Sequence, residues 1–329
     1  MRTLTRQTRQ LSRWSLAAAS LLLACTGAVA QTAEVFPNKT IRIIVPTVAG
    51  GQADVTARRV GQKMAEKLGQ PVIVDNRPGA DTLLGTRVVK DAPADGYTLL
   101  MQASGLSVFP HIKKEPGYEL KDFAAVGPIL RSPLVVLVSA ESRDKGVQDF
   151  VARAKANAAR TSYAHGGVGT PPHIGAVMFL QRAGLNIAEV PYKGNAAAIP
   201  DVLSGRVDMI FDAYSTAVGQ IKAGKAKALG ISSATRLASL PEVPTIAEQG
   251  YPGFNYYFWL GLLAPAQTPK PVLDKLAAAL RASVADLTEQ FRTEGNEAMT
   301  MAPEEFNEYL RRETAQMGKL VSDLKLEKQ

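Results

Sequence analysis

Two short glycine-containing stretches hold the residues best suited to chemistry. They are Pro46-Thr47-Val48-Ala49-Gly50-Gly51-Gln52-Ala53-Asp54 and His165-Gly166-Gly167-Val168-Gly169-Thr170-Pro171-Pro172-His173. Each sits between a run that reads as a strand and one that reads as a helix. Small residues let the backbone approach a ligand closely. Unpaired N–H groups at a helix start, with its positive dipole end, bind anions without a cationic side chain. Neither stretch contains Lys or Arg. Two such loops on opposing lobes could hold two ends of one dicarboxylate or opposite sides of one carboxylate. Each loop taken alone is equally compatible with an ordinary turn.

Other chemistries fail on spacing. A dinucleotide fingerprint would need its third glycine where Pro172 stands, and no G-x-x-x-x-G-K-[ST] occurs. His165 and His173 lack the helical i,i+4 spacing of a zinc pair and show no usual companion ligands, so neither a metal nor a cofactor is expected. A serine hydrolase would need a G-x-S-x-G elbow, which is absent. Ser104, before Gly105, is the only candidate nucleophile, and it reads better as a cleft-lining hydroxyl. Asp54 falls in a first helical turn, where a carboxylate suits the dipole. His173 reads as a helix-start residue and Trp259 as a core or hinge residue.

The elements that must position these loops alternate between β-rich runs and helical periodicity, which predicts an α/β fold with largely parallel strands. Ile41–Val45, Val72–Val74 and Thr98–Met101 read as strands. Between the first two lies a helix with Ala57, Val60, Met64 and Leu68 on one face, stopped by Gly69. Residues 126–139 read as two extended runs separated near Arg131-Ser132-Pro133, suited to a strand crossing between lobes. A second series follows, with strands at 161–164, 188–190, 207–211 and 227–231. Helices are expected at 147–157, 173–182 and 215–223, and a short one starting at Pro200, since proline is tolerated in a first turn. Residues 254–264 read as the return crossing, followed by two amphipathic helices. The expected organisation is one discontinuous lobe, 31–131 plus 258–329, and a second lobe, 132–257.

Arg2, Arg6, Arg9 and Arg13 precede a short apolar run, Trp14–Ala24, and a small-residue cleavage site, Ala28-Val29-Ala30. That order reads as a secretory signal peptide, too short to span a membrane. Cleavage is expected after Ala30, which places the mature chain in the periplasm. A lipoprotein site ending at Cys25 is the alternative. Cys25 is the single cysteine, so the mature chain has no disulfide or thiol chemistry. Losing four arginines lowers the formal net charge of +8 by four. The remaining charges are scattered; they suit the arrival of a small anion but not nucleic-acid binding. A monomer is expected.

Eight motifs stand in a familiar order: "PTVAGGQADVTAR", "VDNRPGA", "DGYTLL", "VGTPPHIGA", "VPYKG", "VLSGRVDMIFD", "LPEVPTIAEQG" and "WLGLLAPAQTP". Over essentially the whole mature chain they resemble the Bug, or tripartite tricarboxylate transporter receptor, family of periplasmic binding proteins. The resemblance implies a two-lobed, type II Venus-flytrap fold with two crossing strands, no enzymatic activity, and a small carboxylate passed to a tripartite tricarboxylate-type permease. Handing the closed form to a signalling kinase is the alternative within this class, and a periplasmic hydrolase the remote one. Ala49, Gly50 and Gly51 match the first carboxylate loop, Gly169 and Thr170 the second. Tyr192 and Asp212 fall at strand ends on the cleft side of the second lobe. Tyr192 could instead cover the hinge, and Asp212 could cap the next helix or face a ligand ammonium or hydroxyl. The family usually has an aromatic residue at Thr47 and often Ser at His165; both departures are expected to line the pocket.

Overall fold

The structure, a computed structural model, describes residues 36–324 together with 326 and 328. The expected signal peptide, its cleavage site and Cys25 lie outside the described residues. The chain runs β1 (Ile41–Val45), α1 (Gln52–Leu68), β2 (Val72–Asn76), α2 (Leu83–Lys90), β3 (Thr98–Ala103), α3 (Gly105–Ile112) and the long β4 (Phe123–Ser139). It continues with α4 (Val147–Ala156), β5 (Ser162–His165), α5 (Pro171–Ala183), β6 (Ala188–Pro191), α6 (Asn195–Leu203), β7 (Met209–Ala213), α7 (Tyr214–Lys222) and β8 (Ala226–Ile231). Then come β9 (Tyr257–Pro265), α8 (Lys270–Thr293), β10 (Glu297–Ala298) and α9 (Pro303–Asp323).

The strands form two sheets with the same order of parts. In the first, β2-β1-β3 are parallel neighbours and β9 and β4 add antiparallel, with β10 on β4. In the second, β6-β5-β7 are parallel and β4 adds antiparallel, with β8 beyond it. Helices cover the sheets, so β1 (IRIIV) is buried along almost its whole length and reads as a continuous apolar run rather than an alternating one.

One strand joins the sheets. β4 pairs β9 as far as Pro133 opposite Tyr257, then pairs β7 from Leu134 opposite Ala213. The expected pair of extended runs is therefore a single strand, because Pro128 and Pro133 fall within a ladder that tolerates them through irregular register. At the changeover the fully buried Ser232 accepts and donates in turn. Leu134 N–H donates to its Oγ (2.8 Å), its Oγ–H donates to the Tyr256 carbonyl (2.7 Å), and Tyr256 N–H donates to the Ser232 carbonyl (2.8 Å). The return passage is thus tied to the outgoing one at a buried point.

Two helices differ from the sequence expectation for one reason. α6 begins at Asn195, with Pro200 inside it rather than at its start, and α3, not expected at all, contains Pro110. An interior proline removes the N–H that would bond the carbonyl four residues back. In α3 that freed carbonyl, Leu106 O, accepts from the Tyr118 hydroxyl at 2.9 Å, which offsets the loss. In α6 the freed carbonyl belongs to Ala196, beside the cavity described below. α2 and the short β10 were likewise not legible.

The C-terminal helix α9 packs back on α3. Its Glu313 is buried and accepts from the Ser107 hydroxyl (2.7 Å) and the Trp259 indole N–H (2.6 Å). Burial pushes this carboxyl up to about 7, against the lowering effect of those donors. Trp259 is a core residue, as expected. Among the described residues no helix is long and apolar enough to cross a membrane.

Candidate functional site

A cavity of about 310 Å³ opens where the loops at the carboxyl ends of β1, β3, β5, β6 and β7 meet. That is the end of an α/β sheet at which ligand crevices form. Its size is at the lower end of the roughly 300–1,000 Å³ usual for small-molecule sites. Among the described residues its walls contain no Lys, Arg or His and one acid, Asp212. Much of the remainder is apolar, including Met101, Phe109, Leu134, Ile199 and Phe258.

The first glycine loop reaches the cavity much as expected. Thr47, Gly50, Gly51, Gln52 and Ala53 line it, whereas Ala49 is exposed and does not. Gly51 is the N-cap of α1, and the first intrahelical bond runs from Val55 N–H to Gly51 O (3.1 Å). The amides of Gln52 and Ala53 precede that bond and belong to cavity-lining residues. The Gly50 amide is not free: it donates to Asp54 Oδ2 at 3.0 Å. Asp54 is buried, which raises its pKa, but the Gly50 amide and the Arg58 guanidinium (2.9 Å) outweigh this and hold it below the ordinary value. It stands in the first helical turn, as read from the sequence, but what it does there is tie the loop to that turn through the Gly50 amide rather than cap the helix.

The second loop behaves differently. Gly166, Thr170, Pro171 and Pro172 line the cavity, but the loop's amides are largely consumed. Gly167 N–H donates to His165 Nδ1 (3.0 Å), Gly169 N–H to His173 Nδ1 (3.2 Å) and Thr170 N–H to Gly167 O (3.2 Å). Pro171 and Pro172, the first two residues of α5, have no N–H to offer. The symmetrical picture of two amide-donating loops is therefore corrected. In the second lobe the unpaired first-turn amides belong to α6, whose Gly194, Asn195 and Ala196 line the cavity, and to α7, which starts beside Asp212 and Ala213.

Four further residues stand elsewhere than expected. His165 is fully buried beneath the loop and does not line the cavity; its Nε2 lies 2.7 Å from Glu189 Oε1. It ends β5 and packs against His173, 4.6 Å between ring centroids. Gly169 also misses the wall and packs against Phe109 and Ile112 of α3. Tyr192 turns from the cavity: its hydroxyl donates to Asp201 Oδ2 (2.6 Å) on α6, and its ring joins the apolar core of the second lobe. Ser104 is buried at the start of α3, outside the walls. The three histidines are all engaged elsewhere, His111 with Thr314 O at 2.8 Å, so none of them serves as a base for Ser104.

Asp212 does line the cavity. It is not the cap of α7, whose N-cap is Ala213; its oxygens accept from Asn195 Nδ2 and Thr216 Oγ1, each at 2.8 Å. Burial raises its pKa, and these donors only partly offset that.

His165, His173 and Glu189 bring three ligand atoms within 4.8 Å of one another, a companion the sequence had not shown. The donor set nevertheless does not fit a metal. Both Nδ1 atoms accept from backbone N–H groups, so each neutral ring carries its proton on Nε2, the atom that would have to coordinate. Glu189 Oε1 lies 2.7 Å from His165 Nε2 and 3.7 Å from His173 Nε2. Burial, then His165, lowers the His173 pKa, and the hydrogen bond from His165 lowers that of Glu189. The pair clamps the second loop from beneath through its two Nδ1 atoms.

Two α/β lobes with matching strand order, crossed by β4 and enclosing a cavity at their strand ends, define a two-lobed solute-binding protein of the type II, Venus-flytrap class. The family model described as "Tripartite tricarboxylate transporter family receptor" matches residues 56–326, and the chain belongs to that family, which consists of solute-binding receptors rather than enzymes. It is 35% identical over 318 residues to the UPF0065 protein in the tcbD-tcbE intergenic region of Pseudomonas sp. strain P51, covering 94% of each chain. The solved periplasmic binding protein BugD is similar at 33% identity and a TM-score of 0.86, covering 89% of this chain and 100% of that one. The R. palustris protein Rpa4515, solved with adipate, is 27% identical with a TM-score of 0.86, over 89% of this chain and 100% of its own.

Proposed function

We propose that the chain is a periplasmic receptor that captures a small organic carboxylate and delivers it to a tripartite tricarboxylate-type permease. The carboxylate head is held by the amides of Gln52 and Ala53 at the start of α1, and the α6 and α7 starts face it from the second lobe. Thr47, Gly50, Gly51, Thr170 and Asp212 make up the surrounding wall. The observation that carries this reading is a cation-free cavity on which helix N-termini converge. The adipate bound by the R. palustris relative supports the same ligand class. The basic N-terminus with its Ala30 site supports export. Lobes of 31–131 plus 258–329 and of 132–257, and a monomeric state, belong to the same proposal.

Thermal melting of the purified chain against a panel of aliphatic and aromatic carboxylates tests it. At about a hundred times Kd, a ligand bound only to the native state adds about 2.7 kcal/mol, which for a chain of this length raises Tm by about 4 °C. At least one acid should give such a rise; a flat response across the panel would refute the proposal.

A further inference from the structure

A buried carboxyl stands behind the cavity wall, where three elements meet. Glu313 of α9 accepts at Oε2 from the Ser107 hydroxyl of α3 (2.7 Å) and the Trp259 indole N–H of β9 (2.6 Å). At Oε1 it accepts from the Tyr309 hydroxyl (3.4 Å). The two elements it joins to α9 both form cavity wall. Gly105 and Phe109 belong to α3, Phe258 and Leu260 flank Trp259 on β9, and all four line the cavity. Tyr256 is pinned through its backbone to Ser232 where the lobes join. Its buried hydroxyl lies beside Ser104 and in the field of Glu313. The carboxyl thus borders the ligand wall and, through Tyr256, the lobe crossing.

No cation among the described residues compensates it. Burial raises its pKa to about 7, and three neutral donors, Ser107, Trp259 and Tyr309, only partly oppose this. Nearby, His111 of α3 has its Nε2 2.8 Å from Thr314 O, and Arg131 of β4, within reach of Tyr309, is paired with Glu297. The charge on Glu313 therefore changes near neutrality, whereas an ordinary Glu is ionised above about 4.3. Once ionised, it is a buried negative charge behind a cavity whose described walls hold no Lys, Arg or His. Across about 10–20 Å of protein, at an effective dielectric constant of about 20, two like charges cost about four- to fifteenfold in binding. Protonation removes that cost.

Resting on the carboxylate reading above, we propose that Glu313 is a proton switch for anion capture. The protonated receptor holds its carboxylate more tightly, and loading the cavity in turn draws a proton onto Glu313. The ligand is captured best in mildly acidic surroundings and released more readily as they turn alkaline.

Isothermal titration calorimetry with succinate, adipate, citrate, glutamate and benzoate tests this, from pH 6 to 8 at constant ionic strength, on the wild type and Glu313→Gln. Glutamine keeps the shape and an acceptor for Ser107 and Trp259 but cannot ionise. For any acid that binds, wild-type affinity relative to the variant should fall about threefold or more over that range. The acid's own titration is common to both proteins and cancels in the ratio. Melting without ligand reads the same proton independently. A carboxyl whose native pKa is raised stabilises fully below its unfolded value and loses that contribution as pH rises to the native one. The wild-type Tm relative to Glu313→Gln should therefore fall by about 4 °C from pH 5 to 8. Ser107→Ala, which removes a donor that favours ionisation, should move the midpoint of the affinity change to higher pH. That shift decides the matter if the glutamine variant fails to fold, and an unmoved midpoint would overturn the switch. A ratio level in pH would place the proton elsewhere, on Asp212 for instance, and overturn the switch while leaving the carboxylate receptor standing. Silence from all five acids would overturn both.

Discussion

Gly51→Val is expected to abolish carboxylate binding while leaving the protein folded. The residue is the N-cap of α1 with φ −77°, a backbone conformation open to any side chain. A Cβ built there meets only Val48 O, at 3.8 Å, so a larger side chain extends into open space at the cavity wall rather than into the core. That space is where a carboxylate would meet the Gln52 and Ala53 amides. Hydrogen bonds to a charged group contribute about 1.5–3 kcal/mol each, so losing two weakens binding by about a hundredfold or more. Replacing a glycine cap with valine costs at most about 1 kcal/mol, or about 1–2 °C in Tm. Calorimetry and melting curves on the same preparation separate the two effects. Retained affinity would remove the first loop from the site.

Gly169→Ala should act by a different route. With φ +82°, any residue but glycine is strained there by about 1–2 kcal/mol. The more selective effect lies across the cleft: a Cβ would stand 2.3 Å from Ile112 Cδ1 and 2.9 Å from Phe109 Cε1, both on α3, which follows the first sheet. Opening of the lobes would relieve that overlap, and closing on a ligand would restore it. Overpacking costs about 1–3 kcal/mol, and a receptor whose closed form is disfavoured by about 1.4 kcal/mol loses tenfold in apparent affinity. Binding should therefore weaken about tenfold or more, with the unliganded Tm lowered by only about 2–3 °C. A fall of about 10 °C or more with unchanged affinity would mean that the contact belongs to a rigid core.

Much of this organisation was legible in the residues. β1, α1 and β2 follow directly from apolar periodicity and from Gly69, which ends α1 in the left-handed conformation. The first glycine loop was found by its composition, and Asp54 by its place in the first turn. What failed did so for identifiable reasons. Treating proline as a helix breaker moved the start of α6 from Asn195 to Pro200, and that hid the second lobe's amide-bearing helix start behind a rule which Ala196 and the neighbouring cavity override. The "KGN" turn before α6 was the available signal. The second loop matched in composition but not in hydrogen bonding, since only folding brings His165 and His173 beneath Gly167 and Gly169. Tyr192 and His165 end strands at the right level, yet their side chains are claimed by Asp201 and Glu189, partners that spacing does not disclose. α3 escaped notice because its eight residues are apolar nearly all round and contain a proline.

The account depends on a negative head group being gripped by main-chain N–H at the α1 start, without a cation. A crystal structure of the chain with a carboxylate identified by melting or calorimetry measures this directly. The ligand oxygens should lie within ordinary hydrogen-bonding distance, about 2.7–3.2 Å, of the Gln52 and Ala53 nitrogens, with the α6 start closing over the ligand from the other side. A carboxylate seated instead on a lysine or arginine, or bound outside this cavity, would contradict it.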